Sequence, residues 1–298
     1  MLENNQNNRK FILDVAPLTK IPLTREQYFW YLADKNLPPG TLVSAPLFKR
    51  KMEGIVIGSK SDFKRSGNIK LKNIETIIEE NFLNDRQLKL AKFISEYYIS
   101  PLGVVLKNFI PKRIKSRKNK NDKGISDSSQ RPEPTVGKRG EIILTPGQKS
   151  AVDKISKSYE LKAKSYLLFG SSGSGKTEVY IHSILKLKKQ NPEFQFLILV
   201  PEKTLTPQAV ERYGAYFPSG ETAVLSSNIP KGQYYSSWQK IRSNEAKIII
   251  GTRMTVFAPF KKLGLIVIDE EQDISYKQWD MNPRYDARIV AEKLAEIH

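Results

Sequence analysis

Residues 170–177 read GSSGSGKT, follow the apolar run Tyr166-Leu167-Leu168-Phe169 directly, and open into an amphipathic stretch from Glu178 to Gln190. This is GxxxxGK[ST] in the context where it carries chemistry, between a strand and a helix. Gly170, Gly173 and Gly175, interleaved with Ser171, Ser172 and Ser174, let the backbone wrap a phosphate with its N–H groups, and the helix N-terminus adds partial positive charge. Lys176 reaches the β and γ phosphates of ATP, and the Thr177 hydroxyl is a ligand for Mg²⁺. A chance Gly/Ser turn has no reason to combine strand, loop, Lys-Thr and helix in that order. The motif therefore constrains the chain around it to an α/β fold with the loop at the carboxyl end of a strand.

The sequence downstream agrees. Phe196-Leu197-Ile198-Leu199-Val200, Lys247-Ile248-Ile249-Ile250 and Leu265-Ile266-Val267-Ile268 are short apolar runs, and a helix is signalled after Thr206-Pro207. Such alternation predicts a parallel sheet covered on both faces. The last run ends in Asp269-Glu270-Glu271, carboxylates that are costly at the end of a buried strand without a cation or a polar crevice. Asp269 suits the magnesium shell, and Glu270 suits the water that attacks the γ-phosphate. A strand ending in acids is often only a solvated terminus, but the phosphate loop upstream makes the two motifs one site.

The first third reads differently. Phe11-Ile12-Leu13-Asp14-Val15, Leu42-Val43-Ser44-Ala45 and Gly54-Ile55-Val56-Ile57-Gly58 predict a small β-rich fold. A helix is expected from Asn84, with Gln87 as partner in a capping box and Leu90, Ile94, Tyr97 and Tyr98 on its core face. Residues 107–140, basic and then rich in Ser, Asp and Pro, have few apolar side chains to offset ordering. The expected division is a β-rich domain over 1–106, a basic flexible linker over 107–140 and an ATP-binding lobe over 141–298.

Of the 298 residues, 49 are Lys or Arg and 31 Asp or Glu, for a net charge of +18. That charge attracts a polyanion, nucleic acid or an anionic membrane. With no cysteine, neither a disulfide nor a thiolate zinc site can form within these residues. No apolar run approaches the roughly 18 residues that cross a bilayer, and the N-terminus lacks a signal core. The expectation is a cytoplasmic protein.

Read together, these residues resemble motifs I and II of a superfamily 2 helicase, and the phrases between them resemble the primosomal replication-restart helicase family. The resemblance rests on LTPGQKSAV from Leu144, GSSGSGKTEVY from Gly170, LVPEKTLTPQ from Leu199, IIIGTRMTVFAPFKKLGLIVIDEEQDISYKQ from Ile248 and PRYDAR from Pro283, in the family's order. YYISPLGVVLKNFIP from Tyr97 extends it toward the N-terminus. It implies a RecA-like P-loop lobe in which Gln148 recognises adenine. It also implies that Pro201, Thr204, Thr206 and Gln208, with Thr252 and Arg253, line the track of a DNA backbone. Hydroxyls, backbone N–H groups and an Arg suit phosphate contacts that do not read bases. Thr204, Thr206 and Pro207 equally suit a helix cap.

Tyr276, Lys277 and Trp279, followed by Arg284, resemble the family's aromatic-rich loop, which couples DNA occupancy to hydrolysis. Aromatic rings stack on bases of any identity, although Tyr276 and Trp279 could equally pack in a core. The N-terminal domain resembles the module that captures a 3′ strand end at a fork, with Phe29 and Lys72 at pocket positions. There Trp30 replaces a common Asp, and Leu47-Phe48 stand near a Gly-like position. The family's DEEH box is Asp269-Glu270-Glu271-Gln272 here, so an amide that cannot titrate replaces an imidazole.

By resemblance, the activity is a 3′–5′ DNA helicase of the replication-restart primosome. Its partners are forked, branched and single-stranded DNA, primosome proteins and single-strand-binding protein in the bacterial nucleoid. The family's winged-helix segment, second RecA-like lobe and zinc module have no counterpart in these residues. A single lobe is expected to bind ATP and turn it over poorly, because an arginine finger contributes roughly 10³–10⁵ in rate. The rival readings are a non-translocating ATP-binding module for forked DNA, and a small-molecule phosphotransferase, which gives GTRM and LTPQ no role.

Overall fold

The computed structural model describes residues 10–48, 50–60, 71–111, 143–158, 165–171, 173–218 and 220–298. Ser172 and residues 112–140 of the expected linker lie outside them. By their contacts the residues form two compact units, one of 1–110 with 277–297 and one of 111–276 with His298.

The first unit is built on a six-stranded sheet: β1 (Phe11–Pro17), β2 (Phe29–Ala33), β3 (Leu42–Leu47), β4 (Arg50–Lys60), β5 (Lys72–Asn73) and β6 (Thr76–Glu79). The strand order is β5-β2-β1-β4-β3-β6, antiparallel except for the β2–β5 pair. Leu13, Val15, Tyr31, Ala33, Val43, Ala45 and Val56 form one buried cluster. The period-2 pattern of β1 and β2 directs these side chains to a single face.

α1 (Asp85–Tyr97) starts at the expected box: the Asn84 side chain accepts from the Gln87 N–H, and the Gln87 side chain accepts from the Asn84 N–H. Leu90 and Ile94 are buried as expected. Tyr97, expected in the core with them, is 55% exposed. It stands in the last turn of the helix, past the buried stretch, and Ile99 at φ 48° ends the helical path. α2 (Leu102–Leu106) and a 3₁₀ turn at Lys107–Phe109 carry the ordered chain onward, with Phe109 buried.

The second unit alternates helix and strand: α3 (Pro146–Ser158), α4 (Lys176–Gln190), β7 (Gln195–Leu199), α5 (Pro207–Gly214), β8 (Thr222–Leu225), α6 (Lys231–Ser243), β9 (Ile248–Gly251) and β10 (Leu263–Ile268). The four strands are parallel in the order β10-β7-β9-β8. Phe196, Ile198, Ile248 and Ile250 of the sheet meet Tyr180, Ile181, Ile184 and Leu187 of α4 in a fully buried cluster. The Gln195 side chain, also fully buried, donates to the Ile241 and Ala246 carbonyls and accepts from the Lys261 N–H.

Another expectation fails in this unit. Residues 166–169, predicted as the strand that leads into the phosphate loop, join no strand, and Leu167 and Phe169 are 82% and 92% exposed. An apolar β-prone run supplies propensity, but a strand exists only where a neighbour offers its edge in register. Among the described residues β10 bounds the sheet and pairs only with β7. The final helix, α7 (Ala287–Ile297), packs on α1 within the first unit.

Candidate functional site

Because β7, β9 and β10 run parallel, their carboxyl ends reach one edge of the sheet. The Asp269 N–H donates to the Leu199 carbonyl at 2.9 Å, and the Val200 N–H to the Gly251 carbonyl at 2.9 Å. Three segments of unrelated sequence position, starting at Pro201, Thr252 and Asp269, are thereby aligned where ligands of such sheets bind. Gly251 makes the alignment possible: a Cβ there would stand 2.0 Å from Thr255 Oγ1 and 2.4 Å from the Leu225 carbonyl.

The phosphate loop ends at the N-terminus of α4. Gly175 adopts φ 81°, a conformation that costs glycine little, and a Cβ on it would meet the Gln148 amide at 2.4 Å. Gln148 itself forms a capping box with Thr145 at the start of α3 and sends its amide nitrogen toward the Ser174 carbonyl at 3.3 Å. The Lys176 ammonium folds back onto the Gly170 and Ser171 carbonyls at 2.7 and 2.9 Å. Its position is thus fixed by the loop that precedes it.

Asp269 is tied to this loop by tyrosines that sequence reasoning did not find. The Tyr180 and Tyr213 hydroxyls each lie 3.1 Å from Asp269 Oδ2 and 3.0 Å from one another, and Thr177 Oγ1 is 3.4 Å from the Tyr180 hydroxyl. If both tyrosines donate to the carboxylate, the Tyr180 oxygen is left to accept from Thr177. Burial pushes the hydroxyls of Tyr180 and Tyr213 above the ordinary tyrosine value, so both stay protonated as donors. The Arg212 guanidinium covers the Tyr213 ring, 5.4 Å from its centroid. The Tyr180 signal was present, since residues three apart on a helix share a face and Tyr180 follows Thr177 by three. Tyr213 carried no local signal.

Glu270, one residue on, adopts φ 48°, a left-handed conformation that costs a non-glycine residue on the order of 1 kcal/mol. Neighbouring bonds impose it. Tyr276 donates its hydroxyl near both the Asp269 and Leu199 carbonyls, at 2.5 and 3.0 Å, and the Asp273 N–H donates to the Glu270 carbonyl at 2.9 Å. The turn leaves the Glu270 side chain exposed at the sheet edge. Gln272 is exposed in the same turn. A hydroxyl and a carboxylate are hard oxygen donors, and magnesium characteristically takes one or two such protein ligands alongside substrate phosphates. Thr177 and Asp269 therefore fit that ion.

The residues expected along a DNA track divide by burial. Thr204, Thr206 and Gln208 are exposed, Arg253 is half-buried, and Pro201 and Thr252 are buried. Thr206 caps α5 by accepting from the Ala209 N–H, and the Thr204 hydroxyl donates to the Pro201 carbonyl. Arg253 pairs with Glu202 at 3.2 Å and donates to the Ser275 carbonyl at 3.0 Å, joining the three segments of the sheet edge.

Tyr276, expected to stack on DNA, is instead 1% exposed and serves as the backbone brace described above. Its ring fills the space beneath the acidic turn, where a large aromatic gains more from burial than from solvent. In the first unit, Trp279 and Arg284 are exposed and Lys277 is half-buried. Phe29 packs against the sheet core, and Lys72 pairs in register with Tyr31 and donates to the Phe48 carbonyl. Phe29 and Lys72 thus share the β2–β5 edge. Trp30 and Phe48 stand exposed on this unit.

The family model for the type III restriction enzyme res subunit matches residues 141–294, and that for a 3′ DNA-binding domain matches residues 18–111. Among curated relatives, the chain is 44% identical over 158 residues to the replication restart protein PriA of Bacillus subtilis, covering 53% of this chain and 19% of that protein. It is 34% identical over 278 residues to PriA of Helicobacter pylori, covering 92% of this chain and 39% of the relative. The PriA of Rickettsia conorii is 34% identical over 262 residues, 87% and 37% of the two chains. The chain thus spans between about a fifth and two fifths of these relatives' length. With a 3′ DNA-binding domain followed by a res-subunit domain whose phosphate loop and acidic turn converge at one sheet edge, the chain belongs to the type III restriction enzyme res-subunit family, and within it corresponds to an N-terminal portion of the PriA replication restart proteins.

Proposed function

We propose that the chain supplies the ATP-binding lobe and the fork-binding elements of a 3′–5′ DNA helicase that restarts replication. Hydrolysis is coupled to translocation once a second RecA-like lobe faces the site. The observation that carries this reading is the meeting of Lys176, Thr177 and Asp269 around one loop, with Glu270 exposed beside them. Lys176 exchanges its carbonyl partners for the β and γ phosphates, and Gln148, poised over the loop, reads the adenine. Magnesium held by Thr177 and Asp269 would neutralise phosphate charge, while Glu270 orients the attacking water.

On the DNA side, Thr204, Thr206, Gln208 and Arg253 are the proposed backbone contacts of the ATP lobe. Pro201, Thr252 and Tyr276 shape that surface from beneath. Lys277, Trp279 and Arg284 are the proposed contacts of the aromatic segment, and Phe29 with Lys72 those of a strand-end pocket. Primosome proteins and single-strand-binding protein are the partners this role requires, and the bacterial cytoplasm, at the nucleoid, its place.

The test is nucleotide binding and ATP hydrolysis by the purified chain at low salt, with and without forked DNA, beside Lys176→Ala. The expected result is nucleotide binding that Lys176→Ala abolishes, with slow hydrolysis. Absence of nucleotide binding, or DNA-independent phosphorylation of a small molecule, would refute the reading.

A further inference from the structure

The first unit carries a continuous row of rings and cations that the sequence does not bring together. The Phe93 and Tyr97 centroids are 5.2 Å apart, and those of Tyr97 and Tyr98 are 4.9 Å apart at an interplanar angle of 70°. The Lys277 ammonium lies 5.6 Å from the Tyr98 centroid and 5.8 Å from that of Trp279, and the Lys293 ammonium lies 5.4 Å from that of Phe93. Two stretches distant in sequence contribute: α1 with Tyr98 just past its end, and the stretch from Lys277 into α7.

Two rings of this row are open to solvent, Tyr97 at 55% and Trp279 at 65% exposure. Both sit beside fixed neighbours. Tyr98 is anchored because its hydroxyl accepts from the Asp286 N–H at 3.0 Å. Lys277 is anchored by its bridge to Asp286. A hydrophobic docking face would exclude charge, whereas here an ammonium group stands at each end of the Phe93–Tyr97–Tyr98 rings, and Lys277 links them to Trp279. This is the chemistry of a single-stranded nucleic acid track, in which aromatic faces stack on unpaired bases and cations meet the phosphates between them. A duplex buries its base faces against one another and cannot use exposed rings in this way. The chain's net charge of +18 is complementary to such a ligand.

We propose that Tyr97, at the end of α1, and Trp279 are the two open platforms of one single-stranded DNA track. Phe93 and Tyr98 position them, and Lys277 supplies charge; Lys293, over the Phe93 ring, is paired with Glu296 at 2.7 Å. The inference rests on the DNA-binding reading above and extends it to a residue of the N-terminal unit that the aromatic-segment resemblance does not include. Tyr97 is exposed and makes no hydrogen bond with the core, so its truncation leaves the fold intact, and thermal unfolding of each variant checks this.

The experiment measures affinity of the whole chain for a thymidine 20-mer and for a 20-base-pair duplex at the same low salt, in wild type, Tyr97→Ala, Tyr97→Phe and Trp279→Ala. Stacking on a ring contributes roughly 1–3 kcal/mol per base. Tyr97→Ala and Trp279→Ala are therefore each expected to weaken single-strand binding about ten-fold or more, with duplex affinity within two-fold of wild type. Tyr97→Phe, which keeps the ring, retains wild-type affinity. Unchanged single-strand affinity in Tyr97→Ala overturns the proposal, as does an equal loss on single strand and duplex. A wild-type chain that binds neither DNA overturns the DNA reading itself, and nucleotide binding then shows whether the ATP site stands without it.

Discussion

At the residue scale, the acidic turn shows how a carboxylate at a strand end is aimed. Asp269 could rotate freely at a strand end, but the hydroxyls of Tyr180 and Tyr213 on Oδ2, and the Glu270 N–H 3.1 Å from Oδ1, occupy both of its oxygens. Tyr213 belongs to α5, which starts beside the proposed DNA contacts Thr206 and Gln208, so the carboxylate feels that helix through one hydroxyl. Replacing Tyr180 and Tyr213 together by Phe keeps both rings and removes both donors. The expected outcome is that binding of a non-hydrolysable ATP analogue in EDTA is unchanged, while the gain on adding magnesium shrinks several-fold, as for other supports of metal ligands. Fluorescent nucleotide titrations with and without magnesium measure both. An equal loss in both conditions would mean that the tyrosines serve only packing.

At the element scale, Asn84 and Gln87 announce the start of α1 because a capping box is local chemistry, two residues three positions apart that satisfy each other. The failed strand at 166–169 shows the reverse: its side chains are as apolar as those of β7, but pairing is a property of the neighbour. β9 depends on such a neighbour at Gly251, where the Leu225 carbonyl and the Thr255 hydroxyl leave no room for a methyl group. Gly251→Ala is expected to lower stability by about 2–3 kcal/mol through overpacking. Chemical denaturation reads the loss directly. DNA affinity at temperatures where the variant is folded should also fall, because the strand carries Thr252 and Arg253 to the proposed DNA surface.

At the scale of the whole molecule, charge and chain order decide different things. The excess of 18 positive charges predicts that DNA affinity falls steeply and linearly in log–log form with salt, since each neutralised phosphate releases condensed counterions at a slope of about −0.7 per contact on single strands. A flat response between about 50 and 200 mM salt would count against a phosphate track. The phosphate loop, the acidic strand end, the parallel sheet and the β-rich start were legible in sequence, because each is written in adjacent residues or in a short period. Tyr213 beside Asp269, Tyr276 beneath the acidic turn rather than on DNA, and Tyr97 in line with Trp279 were not. Tyr213 and Asp269, and Tyr97 and Trp279, stand tens to nearly two hundred positions apart, and Tyr276, though near Asp269 in sequence, is held by the distant Leu199 carbonyl; only the packing of helices and strands in three dimensions brings such segments together. Sequence determined which residue types the candidate site holds, and the tertiary structure decided which side chains aim them, because local pattern sets propensity while long-range contacts set position.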